Sequence, residues 1–121
     1  MENFKSKGLE FEKEVAQYLY NHGYEIVARN CRLKTGEIDI IARDKDRLCF
    51  IEVKSRDITS KIHPFEAVDL KKQRKLITAA KEYIMLNKIK NTFFRFDVVG
   101  VTSSGKKALK VELVKGAFLM S

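Results

Sequence analysis

The sequence predicts an α/β fold with the element order α-β-β-β-α-β-β, in which helices flank a central mixed sheet and residues 1–121 make one domain. Two segments carry apolar residues at helical spacing, and the runs between and after them are short, apolar and β-branched. The second helix lies between two strands, so it can return the chain to a strand parallel with the one it left.

Helix one is expected from Phe4 to His22. There Phe4, Leu9, Phe11, Val15, Tyr18 and Leu19 approximate one stripe, and Gly23 is a natural stop. Tyr24 to Ala28 reads as a strand, and Asn30 to Thr35 as a basic connector closing at Gly36. Glu37 to Arg43 and Leu48 to Lys54 form a hairpin about Asp44-Lys45-Asp46. Pro64 suits a first helical position, and helix two then runs to Asn87–Asn91. Phe93 to Val101 and Ala108 to Val114 pair about Ser103-Ser104-Gly105-Lys106, while Lys115 to Ser121 has no clear pattern.

Lysine and arginine number 24 against 16 acidic residues, a net charge of +8 that favours polyanionic partners, nucleic acid first. A basic protein without such a partner is the plain alternative. Met1 to Gly8 is polar, unlike a signal peptide, and no apolar run reaches membrane-spanning length, so a cytoplasmic location without a membrane partner is expected. Cys31 and Cys49 are far apart, and no Cys-x-x-Cys or spaced His pair suggests zinc. His22 and His63 read as structural or surface residues.

The chemistry concentrates in the hairpin. Alternation places Glu52 and Lys54 on one face of their strand, and on the preceding strand Glu37 and Asp39 on one face with Ile38 and Ile40 on the other. A hairpin can therefore set Asp39 beside Glu52. Two carboxylates with a lysine alongside suit phosphodiester cleavage: oxygen ligands hold a hard divalent cation, and the ammonium offsets charge on the phosphate. A Glu-Lys pair on a solvated sheet face accounts for the same spacing without any chemistry.

GEIDIIARD (Gly36 to Asp44) followed by FIEVKSR (Phe50 to Arg56) resembles the motif pair of the PD-(D/E)XK nuclease superfamily, a strand-borne Asp ahead of Glu-x-Lys. The chain as a whole resembles the YraN-like uncharacterised protein family and is similar to archaeal Holliday junction resolvases. The likeness extends through Glu12, Gly23-Tyr24, Asn30, Lys72 and Arg95 to Val99, and covers about Gly8 to Val101. It implies a restriction-endonuclease-like core and a metal-dependent endonuclease acting on DNA, expected over RNA, on branched, repair or recombination intermediates. It also implies that Asp39, Glu52 and the Val53 carbonyl bind Mg2+ or Mn2+, with Lys54 catalytic. Glu12 would complete the metal shell from helix one, although Glu10 and Glu14 compete for that place and a solvated helix face explains all three. Resolvase-like relatives that cut symmetric junctions act as dimers, so a homodimer follows as an expectation. Ile38 stands where the superfamily name has Pro.

Lys72 interrupts the apolar stripe of helix two formed by Phe65, Val68, Leu76, Ala79 and Tyr83, and is expected to border the Glu52–Lys54 cleft and contact a phosphate. Most of Lys71 to Lys75 reads as a solvated helix face. Arg32, Lys34 and Arg56, with Arg29 and Lys61, flank the motif strands and would frame a groove for several phosphates. No base-reading signature appears, so recognition by backbone charge and shape is expected.

Overall fold

The computed structural model describes residues 11–63, 65 and 68–119. Among these the elements are α1 (Glu12–Asn21), β1 (Glu25–Arg32), β2 (Glu37–Asp44), β3 (Arg47–Asp57), α2 (Leu70–Leu86), β4 (Phe93–Ser104) and β5 (Lys107–Phe118). They form a mixed α/β structure with a five-stranded sheet in the order β1-β2-β3-β4-β5. β1, β2 and β3 pair antiparallel in turn; α2 then carries the chain over so that β4 runs parallel to β3, and β5 returns antiparallel.

α1 ends where expected. Gly23 takes φ +88°, and the Tyr24 N–H donates to the Leu19 carbonyl at 3.0 Å, closing the last turn. Its expected first residues, Phe4 to Glu10, lie outside the described residues. α2 begins at Leu70 rather than at Pro64, a position also outside the described residues. The cause is Asp69, whose side chain accepts the Lys72 N–H at 2.9 Å and satisfies a donor that the first helical turn leaves open. The strands also run longer than expected. β1 continues through the supposed connector to Arg32, and β5 takes in Lys115 to Phe118.

Two apolar layers sandwich the sheet. On one face Phe11, Val15 and Leu19 pack on Ile40, Ala42, Cys49, Ile51, Val99 and Val101. On the other, Leu76, Ala79 and Ala80 of α2 pack on Ile38, Ile41, Leu48, Phe50 and Phe96. Ile38 and Ile40 thus bury on opposite faces, which corrects the expected alternation: the period of two breaks at Asp39. Asn30 falls opposite Asp39, between the pairs Arg29–Ile40 and Cys31–Ile38, and has φ +49°. That left-handed conformation is one Asn tolerates better than most residues. The two strands leave the regular pleat together, and this break positions the site.

Candidate functional site

The regular β2–β3 pairing ends at Ile40–Ile51, one step before Asp39 would face Glu52. Here the Asp39 side chain takes over from the main chain: Oδ2 accepts the Val53 N–H at 2.8 Å. Glu52 precedes that residue and is buried, 3 % exposed, on the α2 face. A carboxylate so placed needs cations, because an unpaired buried charge costs several kcal/mol on the order of magnitude observed in proteins. It has two. Lys54 Nζ lies 3.4 Å and Lys72 Nζ 3.5 Å from the same atom, Glu52 Oε2. Lys72 therefore borders the cleft as its place in the helical stripe suggested; Asp69 fixes the turn that presents it.

Burial first, and then the negative charge of Glu52, push the Asp39 carboxyl up to about 7, against the Val53 N–H and Lys72, which pull it down. Because this folded-state value stands above the ordinary 3.8, the fold holds the proton more tightly than the unfolded chain does. The resulting stability is present below about pH 4 and is lost as pH rises through about 7. In metal-free buffer the denaturant midpoint should decline over that interval, and Asp39→Asn should flatten the decline. A wild-type midpoint that climbs with pH would overturn this account.

The donor set suits a hard divalent cation. It is all oxygen, two carboxylates approach from adjacent strands, and among the described residues no hydrogen bond is formed to Oδ1 of Asp39 or Oε1 of Glu52. No third His, Cys, Asp or Glu side chain joins them at metal-holding distance among the described residues. Glu12 lies on α1, which packs on the opposite face, and its carboxylate contacts Arg29 Nη1 at 2.5 Å and Asn30 Nδ2 at 3.4 Å. Of its rivals, Glu14 is exposed and Glu10 lies outside the described residues.

The other basic candidates divide. Arg32 is exposed and 3.9 Å from Glu37, and Lys34 is exposed on a loop that Glu82 of α2 anchors by accepting the Thr35 N–H and hydroxyl at 2.9 and 2.6 Å. Arg56 is half-buried, donating to Thr102 Oγ1 at 3.3 Å and the Ser60 carbonyl at 3.4 Å, so it also braces the loop after β3. Sequence reasoning passed over Glu112. The register Lys54–Gly100–Glu112 sets it on the α2 face two strands from Lys54, across a glycine with no side chain, and His63 Nε2 stands 3.3 Å from its Oε1. Its position two residues before Val114 was the available signal, but a lone Glu in an alternating strand reads as solvated.

A second polar cluster sits on the α1 face. Arg95 donates through Nε to Asp97 Oδ1 and through Nη2 to Asp97 Oδ2 and Asp44 Oδ2, at 2.8, 2.9 and 2.8 Å. The Tyr24 hydroxyl donates to Asp97 Oδ2 at 2.7 Å, Lys115 Nζ reaches Asp44 at 3.2 Å, and the Gly116 N–H closes Asp97 Oδ1 at 2.9 Å. Arg95 holds the Asp44 carboxyl below its usual range, and burial raises the Tyr24 hydroxyl. Asp97 is 0 % exposed yet satisfied on both oxygens, the condition for a buried charge to be tolerated. This network ties the ends of β2, β4 and β5 to Tyr24.

Known proteins are similar to this chain over most of its length. A UPF0102 protein of Lachnoclostridium phytofermentans is 43% identical over 117 residues, which is 96% of this chain and 95% of the relative. One from Chromohalobacter salexigens is 44% identical over 114 residues, 94% of this chain and 91% of the relative, and one from Clostridioides difficile is 46% identical over 99 residues, 82% and 87%. The family model matches residues 11–101, which span the hairpin, α2 and most of β4, and the chain belongs to the Uncharacterised protein family UPF0102.

Proposed function

We propose that this protein is a divalent-metal-dependent nuclease of restriction-endonuclease-like topology that hydrolyses phosphodiester bonds in DNA. The observation that carries the reading is the meeting of Asp39 and Glu52 from adjacent strands beside Lys54 and Lys72. Asp39, Glu52 and the Val53 carbonyl would hold Mg2+ or Mn2+, which when bound supplies Lewis-acid polarisation of the phosphate and activation of water. Lys54 then places a positive charge against the attacked phosphate, where charge develops. Lys72 holds the neighbouring phosphate, and Arg32, Lys34 and Arg56 extend the basic track. The break in alternation at Asp39 supports this assignment, because it turns the carboxylate out of the pleat toward β3.

The test incubates the protein with magnesium or manganese against single strands, duplexes, flaps and four-way junctions. Metal-dependent cleavage that disappears in Lys54→Ala is the expected result. A second reading, a DNA-binding protein that keeps the architecture without turnover, draws on the ion pairs that already compensate Glu52 internally. Salt-sensitive binding with no cleavage under either metal would select it. Both readings predict that Lys72→Ala weakens binding alike across unrelated sequences and lowers the slope of log affinity against log salt by about one. Titrations in which only one sequence is affected would count against a phosphate contact.

A further inference from the structure

Immediately beside the carboxylates, on the α2 face, lies a groove of about 180 Å³ that the cleavage chemistry does not use. Its floor is Val98, the direct neighbour of Glu52 in the parallel register, followed by Val114, the partner of Val98 on β5. One strand spacing, about 4.8 Å, therefore separates the groove from the row that carries Glu52. Phe65 and Phe118 supply aromatic walls, and Phe118 is braced by stacking on Phe96 at 4.9 Å. Among the described residues of the lining the one amide is Gln73, next in sequence to Lys72. Its Nε2 donates to the Val68 carbonyl at 3.2 Å, which fixes the amide and leaves Oε1 without a hydrogen bond among the described residues.

The geometry points to a pocket for one unpaired nucleobase, pyrimidine-sized, of the nucleotide whose phosphate meets Lys72. This rests on the nuclease reading and narrows its substrate to nucleic acid with an unpaired residue at the site. Three features favour a base over an apolar peptide side chain. A flat ring with a polar rim matches aromatic walls with a single fixed amide. A cavity of roughly 150 Å³ takes a benzene-sized ring, so this one has room for a six-membered ring with exocyclic groups and little more. Lys54 and Lys72, both paired to Glu52 in the row beside the groove, supply positive charge that complements a nucleotide's phosphate and that a neutral side chain does not need.

The test measures anisotropy of three labelled duplexes with the full-length protein in chelator: one fully paired, one with a single bulged thymidine, and one with a bulged abasic residue. The thymidine bulge should bind about tenfold tighter than the other two, the size of one base stacked on aromatic side chains. Ala117→Trp, at an exposed position of the lining, and Gln73→Leu should each remove that preference while keeping duplex affinity and the thermal midpoint. Equal affinity for thymidine and abasic bulges, with duplex binding intact, overturns the pocket and leaves the nuclease reading standing. Absence of binding to every probe overturns both.

Discussion

Asp39→Asn should abolish detectable magnesium or manganese binding and lower metal-dependent cleavage by at least about a hundredfold, the order seen when a single electrostatic group of an active site is removed. The Asn side chain can still accept the Val53 N–H now held at 2.8 Å, so the fold and the break in the pleat should survive. What is lost is the negative charge that, with Glu52, would face the proposed cation. Affinity for DNA in chelator should change little, because the basic side chains proposed to meet phosphate are untouched. Calorimetry settles the first half and filter binding the second. Unaltered metal affinity in the variant would remove Asp39 from the proposed ligand set, whatever happened to cleavage.

Arg95→Ala should be strongly destabilising although it lies outside the apolar core. It strips Asp97, fully buried, of the guanidinium that contacts both its oxygens, and it takes from Asp44 one of its two cations. Removing one partner of a buried pair costs about 3–5 kcal/mol, because the remaining charge stays desolvated. For a domain of this size that is a fall in thermal midpoint on the order of 10–20 °C. Tyr24→Phe deletes the hydrogen bond donated to Asp97 and the one accepted from Arg95 Nη2 at 3.0 Å, and should cost about 1–2 kcal/mol. Thermal scans of the two variants side by side check the ranking; an Arg95→Ala midpoint within a few degrees of wild type would mean that the Tyr24 hydroxyl, the Gly116 N–H and solvent compensate Asp97 without it.

The two predictions concern opposite faces of one sheet, and they differ in how far local sequence anticipates them. The hairpin, the helix stop at Gly23, the parallel return through α2 and the approach of Lys72 to Glu52 were all legible in residue patterns. The Arg95–Asp97–Asp44–Tyr24 cluster was visible only as isolated residues within the family likeness, because its members come from three separate stretches of chain. The start of α2 was misplaced for a local reason that the sequence did contain: Asp69 before Leu70 is an N-cap, outweighed in the reading by Pro64.

By itself, then, the order of residues determined the element types, the directions of the two hairpins and of the parallel return, the family and the small set of charged side chains from which any chemistry must come. These depend on periodicity and caps, which act over a few residues. The tertiary structure decided that the pleat breaks at Asp39 opposite Asn30, that one glutamate oxygen is shared by two lysines, and that Glu12 faces Arg29 across the other layer. Such arrangements follow from the register between strands and from which face each helix covers, and those are set by burying two apolar layers at once. No local window of sequence contains that balance.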